Sequence, residues 1–402
     1  MKKNLCTATL FFLAAILICP YPAVAGMKTF TKEYTYAASE MDSKVSCRAV
    51  AMEQVKRLLL EELGTYLEST TEVADFQLTK DQITAITAGI VSAEIVKESW
   101  NGREYYLMAR ISADPDDVLR SVDTLRKDRE KTAELMIVRK KAEELSRELE
   151  RMRKELETAK TSGKEITAEK YGKTADKLSA MEWFEKGHAL DVRGYNEKAI
   201  EAYTMAIKLN PRLAEAYHGR GLAAYNMSRY QPAIKDYSRA IELNPNYGLA
   251  YGNRGFLYNR IGDYRKSLED LSRAIELRTD PVPGAFYLRG EIYYRLRKYQ
   301  QAIDDYTRII ALFSENGTGY VQLGYYGRGR AYRRLGEFDK ALEDFNRALE
   351  LDPQHAYAYY DRCMLYDHLK QYDRAVSDCR AAAKYGVKKG AEYVRSKGAR
   401  IE

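Results

Sequence analysis

The sequence has few of the residues that build metal centres and disulfide frameworks. It contains five cysteines and four histidines among 402 residues, and the histidines are scattered without the spacing of metal ligands. No glycine-rich segment has the form of a phosphate-binding loop. These absences argue against a metal centre, a nucleotide site and a disulfide-stapled fold. Neither a cofactor nor an enzymatic activity is predicted.

Long apolar runs are also scarce, and one lies at the start of the chain. Lys2 and Lys3 precede an apolar stretch from Leu10 to Cys19, and Ala23-Val24-Ala25 follows it. This pattern predicts a cleaved export signal over residues 1–25, because the apolar stretch is shorter than the ~20 residues that cross a membrane. An uncleaved membrane anchor is the alternative. We expect a periplasmic or secreted protein with no stable transmembrane segment after cleavage.

Neither sign of charge is in large excess. The net charge is +7, and residues 181–402 carry 36 Lys and Arg against 29 Asp and Glu. This mildly basic half favours an acidic protein or peptide as the partner. The basic residues are clustered too weakly to predict nucleic-acid binding, and export makes that partner less accessible still.

Residues 27–114 predict a small α+β domain of order β-α-α-β-β. Asp42 is expected to cap the first helix, and Thr79-Lys80-Asp81-Gln82 forms a capping box that opens the second. Asn101-Gly102 predicts a hairpin, because both residues tolerate positive φ. The strands are predicted at Thr29–Ser39, Ala93–Trp100 and Arg103–Ser112.

Within this domain, one stretch resembles a known family. The residues S-C-R-A-V-A-M-E-Q-V-K-R-L-L-L-E-E-L-G, from Ser46 to Gly64, are followed by the hairpin. Together they resemble the N-terminal domain of flagellar T-ring assembly proteins and related small outer-membrane lipoproteins. The resemblance implies a structural role in the cell envelope and brings no catalytic residue. A domain that only docks or spaces the rest of the chain is the alternative.

Residues 115–165 predict a long charged helix. It begins at Asp114-Pro115-Asp116-Asp117, and no breaker follows until Ser162-Gly163. Two interpretations remain open: a parallel homodimeric coiled coil through residues 135–156, and a single helix that packs against its own chain or spans solvent. The heptad seam consists of Leu135, Val138, Ala142, Leu145, Leu149, Met152 and Leu156.

From about residue 180 the sequence repeats itself about every 34 residues, a period typical of stacked helix–turn–helix units. Six units begin at residues 180, 214, 248, 283, 322 and 356, counted as position 1. A small residue recurs at position 8: Gly187, Gly221, Gly255, Gly290, Gly329 and Cys363. A second residue recurs at position 24: Tyr203, Tyr237, Leu271, Tyr306, Phe345 and Cys379. At these two positions a pair of helices is expected to approach closely.

This spacing resembles the tetratricopeptide repeat over residues 180–383, with a capping helix and tail at 384–402. The resemblance implies an all-α superhelix whose first helices line a concave, protein-binding surface. The predicted fold class is therefore multidomain: a small α+β N-terminal domain, a long charged helix or coiled coil, and a tetratricopeptide-repeat superhelix.

Five repeats share a charged pair that the first repeat lacks, since it carries Lys186 and Ala202. We predict structural ion pairs between the two helices of each repeat, because a partly buried arginine usually needs a partner; ligand binding is the alternative. The position-7 arginines and position-23 aspartates are Arg220 and Asp236, Arg254 and Asp270, Arg289 and Asp305, Arg328 and Asp344, and Arg362 and Asp378.

A peptide groove is predicted on the first helices. Aromatic rings interleaved with guanidinium groups suit an extended peptide with acidic residues or a free carboxyl terminus. The alternative is that the rings pack on neighbouring repeats and the arginines are solvated. The family's carboxylate clamp is not supported, because only Asn253 fits its pattern. The candidate residues are Phe184, His218, Arg260, Tyr287, Arg295, Tyr326, Arg330, Arg334 and Tyr360.

Cys363 and Cys379 lie on the two predicted helices of the last repeat, where facing positions touch. In an oxidising compartment they could form a disulfide; two buried free thiols are the alternative.

The leading functional hypothesis is an exported scaffold or adaptor that binds a protein or peptide in the groove. The alternative is a structural component of an envelope assembly, such as a motility or secretion apparatus.

Overall fold

The computed structural model describes residues 28–38, 42–69, 91, 93–114, 118, 129–158, 161–277, 283–313 and 319–399. The predicted export signal, the second helix of the N-terminal domain and residues 115–117 of the predicted helix start lie outside these ranges. The described residues form three strands and fifteen helices. The described residues within Met1–Met136 and Ser146–Gly172 form one compact unit, and those within Ile137–Leu145 and Lys173–Glu402 form a second.

The first unit contains an antiparallel sheet of order β1-β3-β2, and this confirms the predicted α+β region. Its strands are β1 (Lys28–Ala37), β2 (Glu94–Trp100) and β3 (Glu104–Ala113). Helix α1 (Lys44–Ser69) packs against β1 and β3. Alternate residues of β3, from Tyr105 to Ile111, are buried, as expected for a sheet with one covered face.

Helix α1 is capped by Ser43, and the prediction of Asp42 as the cap is wrong. The Ser43 hydroxyl accepts a hydrogen bond from the Ser46 amide at 3.1 Å, and the Ser46 hydroxyl accepts one from the Ser43 amide at 3.0 Å. This reciprocal pair is a capping box in which serine takes the place of glutamate. Asp42 instead accepts a hydrogen bond from the Ser46 hydroxyl at 3.2 Å.

The hairpin between β2 and β3 forms where it was predicted, but its two turn residues act differently. Gly102 has a φ of 90°, and Asn101 does not share the left-handed conformation. The Asn101 side-chain oxygen accepts hydrogen bonds from the amides of Arg103 and Glu104, at 2.9 and 2.7 Å. Asparagine thus closes this turn through its side chain.

The long charged region forms two helices, α2 (Arg129–Thr158) and α3 (Thr161–Val192). Ser162 and Gly163 are not the predicted breaker but lie in the first turn of α3, where amide groups have no intrahelical acceptor in any case. Five seam residues are already buried within a single chain, so the structure favours the interpretation in which α2 packs against its own chain. They are Leu135, Val138, Ala142, Leu149 and Met152.

The second unit is all-helical, which confirms the repeat interpretation. We call the first helix of each repeat helix A and the second helix B. The six pairs are α3 with α4 (Asn196–Leu209), α5 (Ala214–Asn226) with α6 (Tyr230–Leu243), α7 (Gly248–Arg260) with α8 (Tyr264–Leu277), α9 (Pro283–Arg295) with α10 (Tyr299–Phe313), α11 (Gly319–Leu335) with α12 (Phe338–Leu351), and α13 (Ala356–His368) with α14 (Tyr372–Lys384). Helix α15 (Lys388–Ser396) packs on α14.

The same turn ends helix A in every repeat. The amide of position 16 donates to the carbonyl of position 11, as from Tyr195 to Leu190 at 2.9 Å. Together with a positive φ at position 15 this is a Schellman motif, which closes helix A and starts helix B. Three repeats use glycine at position 15, and Ser228, Arg297 and Lys370 hold the same conformation in the others.

In repeats 1 and 4 the ring at position 24 is held between glycines of two successive repeats. A Cβ atom on Gly290 would lie 3.0 Å from the Tyr306 ring, and one on Gly327, at position 6 of the next repeat, would lie 2.6 Å from it. Tyr203 lies in the same way between Gly187 and Gly219. The absence of a side chain at these glycines therefore sets how closely adjacent repeats approach.

We expect Gly327→Ala to lower the free energy of unfolding by about 1–3 kcal/mol, because the added methyl group overpacks against the buried Tyr306 ring. Gly252→Ala is the matched control, since its Cβ would have 3.8 Å to the nearest side chain. The control should stabilise the helix by up to about 1 kcal/mol. Urea denaturation followed by circular dichroism measures both, and equal effects of the two variants would contradict the close approach.

Candidate interaction surface of the repeats

All five position-7 arginines bind the aspartate of their own helix B through two hydrogen bonds. In repeat 5, Arg328 Nε donates to Asp344 Oδ2 and Nη2 donates to Oδ1, each at 2.8 Å. The other four pairs have the same geometry, with distances between 2.6 and 2.9 Å. Such forked pairing fixes both groups, so the structure places these arginines in the predicted ion pairs between the two helices of each repeat.

Each of these guanidinium groups also contacts the preceding repeat, which the sequence analysis missed. The Nη1 atom lies 2.6–3.2 Å from a side-chain oxygen at position 25 of the helix B before it. The acceptors are Thr204, Ser238, Ser272, Thr307 and Asn346. One arginine thus joins three helices and two repeats. The available signal was an oxygen-bearing side chain at position 25 of every repeat that precedes such an arginine.

Two predicted groove residues are buried and cannot contact a ligand. Phe184 is 0% exposed and lies against Tyr203, with ring centroids 5.5 Å apart. His218 is 3% exposed and shares a hydrogen bond of 2.9 Å with Asn253 Nδ2. Position 5 therefore faces neighbouring helices in repeats 1 and 2, and the assignment of these two residues to the groove was wrong.

Three other predicted residues, Tyr287, Tyr326 and Arg330, meet where repeats 4 and 5 join. The Arg330 guanidinium stacks over Tyr294 at 4.2 Å, lies 5.3 Å from the Tyr326 ring and donates to Glu291 Oε1 at 3.1 Å. Burial lowers the pKa of Arg330 and the Glu291 carboxylate raises it, with a net upward shift. The group is charged, but its charge is neutralised within the fold.

Tyrosine hydroxyls complete this network. Tyr326 donates to Asp361 Oδ2 at 2.9 Å, and Arg333 Nη2 lies 3.0 Å from Asp361 Oδ1. Burial raises the pKa of Tyr287 to about 12, so its hydroxyl is neutral at physiological pH. The Tyr287 ring packs against Tyr306 and Tyr320 with centroids 6.3 Å away in both cases. These tyrosines pack on neighbouring repeats, as the alternative interpretation proposed.

The remaining arginines, Arg260, Arg295 and Arg334, form an exposed row at position 13. Each rests on a tyrosine of the preceding repeat. Arg260 lies 5.2 Å above the ring of Tyr230, Arg295 Nη1 donates to the Tyr264 hydroxyl at 3.4 Å, and Arg334 Nε donates to the Tyr294 hydroxyl at 3.2 Å. Within the described ranges, none of the three forms an ion pair with a carboxylate. We call these three residues the arginine row.

The Ile137–Leu145 segment of α2 lies against helix A of the first two repeats. Lys141 Nζ donates to the Glu215 carboxylate of α5. Arg139 Nη1 lies 3.8 Å from Glu185 Oε1 of α3. The chain's own helix therefore covers the first part of the surface that was predicted as a groove.

Burial along position 2 shows how far this cover extends. Met181 and Glu215 are buried in repeats 1 and 2, whereas Tyr357 of repeat 6 is 64% exposed. Position 2 is half-buried in repeats 3 to 5, at Leu249, Gly284 and Leu323. The surface therefore opens to a partner after repeat 2, where the arginine row also begins.

A disulfide joins Cys363 to Cys379, with Cα atoms 5.5 Å apart. It occupies the two positions at which the other repeats place a small residue against a larger one. Val394 of α15 is fully buried against both cysteines, and the half-buried Tyr360 packs on the same cluster. The predicted groove residue Tyr360 thus packs on the core of the last repeat and its capping helix.

In the part of the chain that the structure describes, no cluster of His, Cys, Asp or Glu side chains could hold a metal ion. No helix in those same ranges has the length and apolar character needed to cross a membrane.

Comparison with known proteins identifies the repeat type. Models described as "Tetratricopeptide repeat" match residues 214–247, 237–269, 257–316, 323–355 and 345–377, and one described as "TPR repeat" matches 187–228. No curated protein matches the sequence.

Three solved structures illustrate the similarity. YrrB, described as a TPR protein with an unusual peptide-binding site, is 22% identical over 49% of this chain and 99% of its own, with a TM-score of 0.43. MamA is 27% identical over 42% and 96%, with a TM-score of 0.38. PilF of Pseudomonas aeruginosa is 15% identical over 55% and 99%, with a TM-score of 0.45. A superhelix of such repeats fits a protein-interaction scaffold. Residues 187–377 of this chain are tetratricopeptide repeats.

Proposed function

We propose that the protein is an exported scaffold that binds an acidic protein or peptide segment along helices A of repeats 3 to 6. The arginine row carries this proposal. Its guanidinium groups are exposed, recur once per repeat and are not neutralised by an ion pair in the described ranges, unlike the position-7 arginines and Arg330. An evenly spaced row of cations on a rigid scaffold suits an extended chain that carries carboxylates.

The tyrosines under the arginine row support the same partner class. Tyrosine and arginine are enriched in protein interfaces, because both offer large contact areas and directed hydrogen bonds. Tyr264 and Tyr294 hold the guanidinium groups of Arg295 and Arg334 in place. Less side-chain entropy is then lost when a carboxylate binds, which favours affinity.

Export to a periplasmic or extracellular compartment is part of the proposal. The pattern of residues 1–25 supports it, and so does the Cys363–Cys379 disulfide, because disulfides persist mainly in oxidising compartments. In this proposal the N-terminal domain docks the scaffold to an envelope structure.

Capture from an envelope extract tests the proposal with two matched triple variants of the mature chain. Arg260→Gln, Arg295→Gln and Arg334→Gln remove the arginine row. Arg239→Gln, Arg273→Gln and Arg347→Gln remove the same charge from position 26 of helices B, where each arginine pairs with a glutamate three residues on.

We expect the arginine-row variant to bind its partner at least about tenfold more weakly, because charged hydrogen bonds contribute about 1.5–3 kcal/mol each. The position-26 variant should retain capture, and both should keep wild-type circular dichroism. The capture uses chemical cross-linking in the extract. If wild type and both variants become cross-linked only to further copies of this chain, and to the same extent, the result would instead favour a structural role in an envelope assembly.

A further inference from the structure

One cavity lies at the end of the arginine row, where repeat 5 meets repeat 6. It has a volume of about 390 Å³, which is within the range of small-ligand sites. Its lining consists of Arg333, Arg334, Phe338, Met364, Leu365 and His368. Position 13 of repeat 6 is His368, so the cavity continues the line of the arginine row.

The lining of this cavity is mixed, with three apolar side chains, Phe338, Met364 and Leu365, beside Arg333, Arg334 and His368. Leu365 is buried in the core of repeats 5 and 6, next to Phe338. The Phe338 ring meets His368 edge-on, with centroids 4.9 Å apart. Met364 contributes a flexible thioether, which adapts to the shape of an apolar guest. Such a lining accepts a hydrocarbon side chain.

The rim carries one available cation. Arg333 is paired with Asp361, at 3.0 Å. The described contact of Arg334 is with the Tyr294 hydroxyl, which does not neutralise its charge. Asp361 of α13 acts electrostatically on Arg334 but is itself bound by Arg333 and Tyr326. Asp367, which precedes His368, pairs with Lys397 at 3.1 Å and accepts from Tyr393 at 2.6 Å. The mouth of the cavity therefore combines apolar contact with a positive charge that no direct ion pair among the described residues neutralises.

The junction between repeats 4 and 5 differs from this one at position 9. Position 9 is Glu291 in repeat 4 and Arg330 in repeat 5, and these two side chains bind each other. In repeat 6 the same position is Met364. Repeats 2 and 3 also carry an apolar residue at this position, Leu222 and Phe256, so the junction of repeats 5 and 6 is distinguished by Met364 together with the cavity that it lines.

The geometry points to an anchor subsite: the cavity binds an apolar side chain of an acidic partner, and Arg334 pairs with the carboxylate next to that side chain. This inference rests on the proposed function and specifies the partner's chemistry, namely a leucine-sized apolar residue flanked by Asp or Glu. An apolar anchor in a pocket with a charged rim is the usual form of an energetic hot spot.

The test uses three synthetic probes: acetyl-Asp-Leu-Asp-amide, acetyl-Asn-Leu-Asn-amide and acetyl-Asp-Ala-Asp-amide. The mature full-length protein is labelled at methionine methyl groups with ¹³C, and Met364→Leu assigns the Met364 signal. Each probe is titrated to several millimolar into wild type, Arg334→Gln and Arg347→Gln. Arg347→Gln is the matched control, because it removes the same charge from helix B of the same repeat, outside the arginine row, where Arg347 pairs with Glu350.

We expect the Asp-Leu-Asp probe to shift the Met364 methyl signal, and the other two probes to bind about tenfold more weakly, since each lacks one of the two contacts. Arg334→Gln should remove the preference for Asp over Asn, and Arg347→Gln should preserve it. A Met364 signal that stays unchanged with every probe overturns the inference, as does an equal loss in both variants. With either of these two results, the capture experiment decides what else fails. If capture from the envelope extract still depends on the arginine row, the proposed function stands and only the anchor subsite is rejected.

Discussion

Asp344→Ala is expected to lower the free energy of unfolding by about 3–5 kcal/mol, because it leaves a partly buried guanidinium without its carboxylate. Arg328 makes both of its forked hydrogen bonds to Asp344, at 2.8 Å each. The loss of this one carboxylate also weakens the contact with Thr307 of the preceding repeat, since the pair holds the guanidinium in place. Urea denaturation monitored by circular dichroism measures the change.

The control replaces the whole pair, by Arg328→Met together with Asp344→Leu. Burial raises the pKa of Asp344 and the hydrogen bonds from Arg328 lower it, with a net upward shift. A buried ion pair of this kind adds little over apolar side chains of similar volume, because the cost of desolvating both charged groups offsets their attraction. We expect the double variant to recover most of the loss. A double variant as unstable as Asp344→Ala would show that the ion pair itself is the stabilising element.

Reduction of the Cys363–Cys379 disulfide is expected to lower the stability of the last repeat by about 3 kcal/mol, because the bond restricts the unfolded chain across a short loop. The two cysteines are 16 residues apart in sequence. The experiment compares urea denaturation with and without dithiothreitol. Since the bond lies in the last repeat, hydrogen exchange of α13, α14 and α15 should report the loss most directly.

The matched control gives the last repeat the residues that repeat 5 uses at these positions. Cys363→Gly with Cys379→Phe reproduces the contact between Gly329 and Phe345. This variant should be insensitive to dithiothreitol, and its stability should lie between those of the oxidised and reduced wild type. Cys47 is buried and lies outside this disulfide. Because both proteins contain it, any effect of dithiothreitol on Cys47 is the same in the two denaturation experiments. Identical denaturation of wild type in both conditions would contradict a bridged native state.

Interactions that recur with the same residues at a fixed spacing could be predicted from the sequence. The pairing of Arg220 with Asp236, and its four counterparts, follows from arginine and aspartate at the same positions of five repeats. The third contact of each arginine escaped notice because its acceptor changes identity, from Thr204 to Ser238 to Asn346, while only the side-chain oxygen is shared. When several residue types can accept the same hydrogen bond, the repeats show a weaker sequence pattern than when every repeat uses the same residue.

The errors in the candidate groove have a different cause. Phe184 and His218 occupy the same repeat position as Tyr287, so the pattern assigned all three the same role. Phe184 and His218 are buried against Tyr203 and Tyr237 of their own repeats.

The Ile137–Leu145 segment, which is not part of the repeat pattern, covers the neighbouring residues Glu185 and Glu215. The apolar side of α2 was recognised from its heptads. An amphipathic pattern shows that a face is buried but does not identify what covers it.

The position-7 arginines have a consequence for how the array unfolds. In a one-dimensional description of repeat proteins, stability is divided between individual repeats and the interfaces that couple neighbours. Each of these arginines adds to both quantities at once, since it joins two helices of one repeat and the last helix of the one before. A repeat that opens therefore loses contacts on its neighbour as well, which raises cooperativity. We accordingly expect binding energy gained at one end of the array to protect amides several repeats away.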